Sequence, residues 1–460
     1  MSAEGLAAAR QKMADGGVHR LAIDVFAHYY AELACGATGH IYEADVEPLS
    51  NISHAGMLSV SEEDKRAAAA VTAVIKLNGG LGTTMGMSQA KTLLDVRPGV
   101  SFLDIIAGQV RHLREQYDVR LPVLFMNSFR TRDDTLAALA AYPDLAVHGL
   151  PLDFLQNREP KLWVDSLAPV EWPADPTLEW CPPGHGDLYT ALAVSGVLDR
   201  LLGQGFKYAS VSNADNLGAS PDPAMMAWFA ASEAPYAAEV CRRTPADVKG
   251  GHLVVRRSDG RLVLRETAQT PAEDAEAATD LTRHRYFHTN NLWFDLSALK
   301  AELISRNGVL GLPLIRNEKN VDPADPSSPR VVQIETAMGA AIEVFDDATA
   351  IEVDRSRFLP VKTTNDLLLV RSDAYVVGND FQVHSRAADP PLIRLDDRFY
   401  RTIADFDARF PVVPSLAEAR SLTVHGDWNF GPGVTVTGDV VLDDLGRPAS
   451  VAPSTVVGQG

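Results

Sequence analysis

Val74-Ile-Lys-Leu-Asn-Gly-Gly-Leu-Gly-Thr-Thr-Met-Gly-Met-Ser-Gln-Ala-Lys91 is the stretch whose reading decides the fold. It starts in an apolar run, Ala73 to Ile75 with Leu77, that predicts a buried strand. Gly79, Gly80, Gly82 and Gly86 follow, with no helical pattern before Phe102. Glycines this dense after a strand let the backbone approach a ligand and turn its N–H groups toward anionic oxygens. Lys91 adds a full positive charge. A dinucleotide fingerprint begun at Gly80 needs glycine where Met85 stands, and a Walker loop needs glycines in place of Met85 and Ala90. The stretch therefore binds phosphate by a related logic outside both classes. The bland alternative is a flexible surface turn between strand and helix.

From about 71 to 380 strand-like and helix-like segments alternate on either side of this loop. Phe102, Ile106, Val110 and Leu113 form the buried stripe of a helix, Leu121 to Met126 a strand, and Arg132 to Ala141 the next helix. Such repetition predicts an α/β domain with a mainly parallel sheet covered on both faces and ligands beyond the carboxyl ends of its strands. Chemistry should then sit on the loops that follow strands. Cys181-Pro-Pro-Gly-His-Gly-Asp187 is rigid at its prolines and open at its glycines, and holds His185 ahead of a helix. Ser210 to Gly218 puts Asp215 just past a short strand, Lys207 to Val211. Pro245 to Gly251 is a turn carrying one more lysine, and Arg357 to Asp366 delivers Lys362 immediately before a helix.

Residues 1–70 read as an amphipathic helical segment, with Leu21, Val25, Tyr29 and Leu33 facing the main domain and its His, Tyr and Glu residues at the surface or rim. Residues 268–282, rich in Ala, Glu and Asp, read as a surface insertion, and Asp322 to Pro329 as a second irregular loop. The domain boundaries expected are 1–70, 71–384 and 385–460. In the last of these, Leu422, Val424, Trp428, Phe430, Val434, Val436, Val440 and Leu442 recur between Gly426, Gly431, Gly433 and Gly438. Short apolar strands with glycine corners predict a few coils of a β-helix, docked on the catalytic domain or on another subunit.

The chain has 460 residues, enough for two or three domains, and a hydrophobic content of 46% that is ordinary for a globular protein. A net charge of −18 argues against nucleic acid and anionic membranes as partners, since both need positive potential. Cys35, Cys181 and Cys241 are odd in number and far apart, which fits no disulfide framework or zinc site and points to a reducing cytoplasm. Met1 to Gly16 lacks the apolar core of a leader, and no later stretch reaches membrane-spanning length.

Asp215, between Asn213 and Gly218, suits magnesium, which favours few carboxylate oxygens plus substrate phosphate. An Asx-turn capping a helix that starts near Pro221 is the other reading, and the residues alone leave both open. His185 could be a general base or a hydrogen-bond donor. A phosphate ligand is already anionic at neutral pH and needs no base, so a positioning role is preferred.

Lys76-Leu-Asn-Gly-Gly-Leu-Gly-Thr83, with Met85-Gly86 and Lys91, resembles the nucleotide loop of the eukaryotic-type UTP–glucose-1-phosphate uridylyltransferases, also called UDP-glucose pyrophosphorylases. Asp153-Phe-Leu-Gln-Asn-Arg158, the Gly184-His185 pair, His288-Thr-Asn-Asn-Leu-Trp293 and Val332-Gln-Ile-Glu-Thr-Ala337 extend the resemblance. It implies a Rossmann-like nucleotidyltransferase domain with a mixed, mainly parallel sheet and a left-handed β-helix at the C-terminus. It further implies Mg²⁺ as cofactor and synthesis of UDP-glucose from UTP and glucose 1-phosphate. Leu77, Asn78, Gly79, Gly80, Gly82, Lys91, Gln156, Gly184, Asp215 and Lys362 are then expected on the nucleotide. His185, Asn213, Ala214, Gly250, Asn290, Asn291 and Glu335 are expected on the sugar phosphate. Lys91, Lys362 and Asp215 carry catalysis, Asp215 as metal ligand.

Two phosphates brought within about 4 Å oppose each other by about 4 kcal/mol at an effective dielectric of about 20. Cations and a metal must therefore be in place before reaction. Ser88-Gln-Ala90 departs from the family's Lys-Gly-Pro, which removes one loop lysine, and Ala214 replaces a common serine. The same chemistry on N-acetylhexosamine or galactose 1-phosphate is the close rival. A non-catalytic sensor has no need of Lys91, Asp215 and Lys362 together. Homo-oligomerisation through the tail and simple capping of a monomer both stay open.

Overall fold

The computed structural model describes residues 2–244, Asp247, 250–387 and 389–458. At its centre is an eight-stranded sheet of Ser53–His54 (β1), Thr72–Asn78 (β2), Val123–Asn127 (β3), Asp153–Leu155 (β4), Tyr208–Asn213 (β5), Tyr236–Arg242 (β6), Tyr286–Asp295 (β7) and Thr349–Glu352 (β8). In space the order is β1-β8-β6-β7-β5-β2-β3-β4, and only β7 runs antiparallel to its neighbours. β2 is buried along nearly all its length, as its apolar run requires of a central parallel strand. The helix Phe102–Tyr117 starts at a Ser101–Asp104 capping box and buries Phe102, Ile106, Val110 and Leu113 as expected. From β2 the chain goes to β3 on one side and later to β5 on the other, so the crevice beyond their carboxyl ends is where a ligand belongs.

The first 70 residues are less uniform than their sequence reads. Ser2–Asp15, Arg20–Ala34 and Glu62–Ala70 are helices, but Val46–Pro48 pairs with His252–Arg256 and β1 is the edge of the central sheet. The boundary expected at residue 70 therefore cuts through that sheet. The strands were invisible because each is only three or two residues long and pairs with a segment hundreds of residues away. In Arg20–Ala34 the buried face centres on Ile23, Phe26, Tyr30 and Leu33, while Leu21 and Val25 lie on its shoulder. A strict four-residue spacing drifts off the 3.6-residue turn. Tyr29 and Tyr30 are buried rather than at the rim: Leu312 N–H donates to the Tyr29 hydroxyl at 2.9 Å, and the Tyr30 hydroxyl donates to the Leu167 carbonyl at 2.9 Å. Glu43 is half-buried, paired with the fully buried Arg265 and with His284. Residues 268–282 lie mostly at the surface but are tied down: Ala275–Thr279 is helical, Gln269 is buried, and Asp274 binds Arg265.

Past residue 384, Leu392–Leu395, Ser415–Val424, Thr435–Leu442 and Val456–Val457 form one parallel sheet in chain order. Trp428–Phe430 pairs in parallel with Ala449–Val451 on a second face. Leu422, Val424, Phe430, Val434, Val436 and Val440 are buried, and their core continues into Val361, Leu367, Leu368 and Val383, and into Met85, Leu94 and Phe102. The apolar contacts thus cross the boundary expected at 385. They hold the tail on the segment bearing Lys362 and on the chain that follows the glycine loop.

Cutting the chain after residue 405 should therefore unsettle more than the tail. Each large apolar side chain removed from this core forfeits about 1.5–3 kcal/mol of burial. A typical domain holds only about 5–15 kcal/mol in total. A melting temperature lowered by at least several degrees, with aggregation seen by light scattering, is the expected result. A fragment as stable and monodisperse as the full chain would show the tail to be dispensable.

Candidate active site

A cleft of about 300 Å³ opens at the carboxyl ends of β2, β3 and β5. It is lined by Leu77, Asn78, Gly79, Gly80, Lys91, Gln156, Gly184, His185, Asn213, Ala214 and Asp215, joined by Thr92, Met126 and Pro182. Strand register explains the gathering. Leu77 lies opposite Asn213 in the parallel pair β2–β5, and Ala214 N–H donates to the Leu77 carbonyl at 2.9 Å. Asp215 thus leaves the sheet beside Gly79. Lys91 N–H donates to the Gly80 carbonyl at 3.2 Å, and its Nζ donates to Asp215 Oδ2 at 2.8 Å. The other carboxylate oxygen, Oδ1, is buried without a hydrogen-bond partner. Gly82, at φ +66°, turns the loop; a Cβ there would stand 2.9 Å from the Met87 sulfur and 3.5 Å from Lys91 Cγ.

The helix-cap reading of Asp215 does not hold. Pro223–Ser232 is capped by Asp222, which accepts from Ala224 and Met225 N–H. Among the described residues the Asp215 side chain has only Lys91 to bind.

Gln156 spans the cleft, its Nε2 donating to the Gly184 carbonyl at 2.8 Å and its Oε1 lying 2.9 Å from where a Gly79 Cβ would be. His185 Nδ1 accepts Met338 N–H at 2.9 Å. Burial lowers its pKa to about 4, so the ring is neutral near pH 7 and its proton sits on Nε2 as a donor. Gly184 and Gly186 are not openings in the loop: added Cβ atoms would stand 2.5 Å from the Thr336 carbonyl and 2.3 Å from Thr336 Oγ1. These glycines let the loop press against Thr336.

Other residues expected in the site are placed otherwise. The Asn78 amide is committed to Asn127, Thr135 and Thr92, leaving only its backbone at the cleft. Asn291 is buried, donates to Glu239 and the Arg357 carbonyl, and accepts from Asn216, so its side chain has nothing left for a sugar. Asn290 is partly exposed in the left-handed region, φ 59°, with its N–H donating to His288 Nδ1 at 3.2 Å. Glu335 packs on Gly184 and accepts from Asn317 and Lys319. Gly250 exchanges hydrogen bonds with Thr267 and lies outside the lining. Lys362 is exposed at the rim, and its charge reaches His185. The lysine of the 245–251 turn, Lys249, lies outside the described residues.

Two buried groups went unread in the sequence. Lys76, inside β2, donates to Ser212 Oγ at 2.8 Å and the Ala219 carbonyl at 2.6 Å, and burial lowers its pKa to about 7. A lysine within an otherwise apolar strand was the available signal. Asp187 accepts Asn157 N–H at 2.6 Å and Nδ2–H at 2.8 Å, and burial raises its pKa to about 7. It clamps the loop of Gln156 to the loop of His185.

A glycine loop facing a lysine–carboxylate pair at the switch point of a mixed sheet defines a nucleotidyltransferase. Residues 23–437 match the family model described as UTP–glucose-1-phosphate uridylyltransferase, and the chain belongs to that family. It is 42% identical over 373 residues to the UTP–glucose-1-phosphate uridylyltransferase of Saccharomyces cerevisiae, covering 80% of this chain and 73% of that one. Against the probable counterpart in Schizosaccharomyces pombe it is 41% identical over 375 residues, covering 80% and 72%. The UDP-glucose pyrophosphorylase of Leishmania major superposes with a TM-score of 0.92 at 40% identity over 98% of both chains. A variant of that enzyme, solved in complex with UDP-glucose, gives the same TM-score of 0.92. Among the described residues no helix is long and apolar enough to cross a membrane.

Proposed function

We propose that this chain makes UDP-glucose and pyrophosphate from UTP and α-D-glucose 1-phosphate. A phosphate oxygen of the sugar attacks the α-phosphorus in line, and pyrophosphate leaves. The observation that carries this reading is the Lys91–Asp215 pair set against the Gly79–Gly80 backbone, within a family whose members bear this activity in their names. Gly79, Gly80 and Gly82 turn N–H groups to the phosphates, and Lys91 holds charge on them. Gln156 presents an amide to the base, and neutral His185 donates Nε2–H to the sugar phosphate. Asn213, Ala214 and Asn290 border the sugar, with Glu335 behind Gly184. Lys362 closes on the shared phosphate from the rim.

Asp215 fits Mg²⁺. One of its oxygens is buried without a partner and the other meets Lys91. No cluster of three metal-binding side chains exists among the described residues, so the ion would be shared with substrate phosphate. Bound there, it would neutralise charge on the α-phosphate. Pyrophosphate release from UTP and glucose 1-phosphate, with ATP a poor substitute, tests the function. Equal rates with ATP, or no product with any pairing, would overturn it.

His185→Gln is expected to raise KM for glucose 1-phosphate roughly 3- to 10-fold, the worth of one hydrogen bond. A pKa lowered to about 4 keeps the imidazole neutral from pH 5.5 to 8. The wild-type rate profile should therefore carry no limb from this group in that range. An acid limb near pH 6.5 that vanishes in the variant would make His185 a base instead.

The tail is a left-handed β-helix in this reading, supported by parallel ladders that follow chain order. Leu392, Val441 and Val456, exposed on its strands, are where copies of the chain would meet.

A further inference from the structure

We infer that the buried Glu239–Arg357 ion pair, with Asn216 and Gly218, is a positioning device that fixes Lys362 relative to Asp215; this rests on the function proposed above. Glu239 stands in the middle of β6 and is fully buried. Its oxygens accept from Arg357 Nε at 2.8 Å, Arg357 Nη2 at 2.7 Å, Asn291 Nδ2 at 3.0 Å and Trp293 Nε1 at 3.0 Å. Burial pushes this carboxyl up, but the guanidinium outweighs it and holds the group charged. A bidentate pair with planar geometry fixes orientation as well as distance.

From Arg357 onward the chain is bound to the Asp215 loop at successive steps. The Arg357 carbonyl accepts from Asn216 Nδ2 at 3.1 Å, and Leu359 N–H donates to Asn216 Oδ1 at 2.8 Å. Asn216 and Pro360 form an antiparallel bridge, Leu217 N–H donates to the Leu359 carbonyl at 3.3 Å, and Val361 N–H donates to the Asp215 carbonyl at 3.1 Å. Lys362 is the next residue. The approach is so close that a Cβ on Gly218 would lie 2.2 Å from the Ser356 carbonyl oxygen. Beneath it, Lys76 pins the far end of the loop through Ala219. Two groups expected to act on one phosphate are thus carried by two segments that form a single unit, and Arg357 anchors that unit to the sheet. Arg357 lies outside the cleft lining and acts through Lys362.

The test is a set of variants measured in both the Lys362 and Lys362→Ala backgrounds. Arg357→Met leaves Glu239 unpaired and can unfold the chain, so Arg357→Lys and Gly218→Ala are made beside it. Gly218→Ala displaces the 356–358 backbone and removes no charge. Pyrophosphate release gives kcat and KM for UTP, and a thermal melt reports folding. A misplacement near 1 Å costs up to about a hundredfold in rate, so kcat should drop at least about tenfold in Gly218→Ala and Arg357→Lys, with KM for UTP nearly unchanged. That loss should vanish in the Lys362→Ala background, because the device has nothing left to position. Losses that multiply with the Lys362→Ala loss, or a lower melting temperature with kcat intact, would overturn the inference alone. An unchanged kcat in Lys362→Ala by itself would overturn the site reading and this inference together.

Discussion

Asp215→Ala is expected to abolish turnover and leave the melting temperature nearly unchanged. The two halves of that result have separate causes. One carboxylate oxygen meets only Lys91, and the other has no protein partner although it is buried. The nearby helix is capped by Asp222, so no helix end is uncapped by the substitution. What is lost is the carboxylate that would hold a cation against the phosphate groups, and without that cation their mutual repulsion stands. One unit-charge interaction at about 4 Å is worth about 4 kcal/mol at an effective dielectric of about 20, or nearly a thousandfold in rate. A cation held there would make more than one such interaction, so its loss would cost more. Asp215→Asn keeps the shape and one acceptor but not the charge, and should lose most of the activity. Pyrophosphate release and a thermal melt check both variants. Near-normal activity with a lowered melting temperature would make Asp215 structural.

What could be read from sequence here is what depends on local pattern. The run of Thr72–Asn78, the glycines after it and the stripe of Phe102–Tyr117 each signal their structure within a dozen residues. Loops after strands converge wherever strands are parallel, so Asp215, His185, Gln156 and Lys91 share one cleft as expected. The misread features depend on partners far along the chain. β1 is two residues long and exists only because β8, some 300 positions later, presents an edge. Glu43 looked like a surface residue because Arg265, which pairs with it, is remote in sequence. Asn290 and Asn291 are a similar case. Asn290 sits in the left-handed region where the β6–β7 register slips, so one amide is partly exposed while its neighbour is locked between Glu239 and Asn216. At 385 composition changes while the apolar core continues across, as a tail docked on the preceding domain requires.

Lys362→Ala should cut kcat roughly 10²–10³-fold, the range for losing one donor to transition-state charge. The backbone at this position is fixed on both sides. Val361 N–H donates to the Asp215 carbonyl at 3.1 Å, and Lys362 N–H donates to Asp366 Oδ2 at 2.8 Å. The side chain is nonetheless exposed, at the rim rather than in the lining of the cleft. Its position just before the helix Thr364–Arg371 is unfavourable for a cation, because the helix dipole is positive there. Asp366 offsets part of that cost through the capping box with Thr363. A held backbone and a free ammonium let the group meet a phosphate that arrives, without giving up contacts of its own. Its charge already reaches His185, which lines the cleft. In the proposed site UTP is held mainly by the glycine loop and Lys91, so its KM should change little, and an exposed side chain should leave the melting temperature unaltered. Steady-state rates with each substrate varied in turn, read beside single-turnover rates, check the expectation. A raised KM with kcat intact would mean that Lys362 only binds substrate. Lys91, already bonded to Asp215, would then be the group that stabilises the transition state.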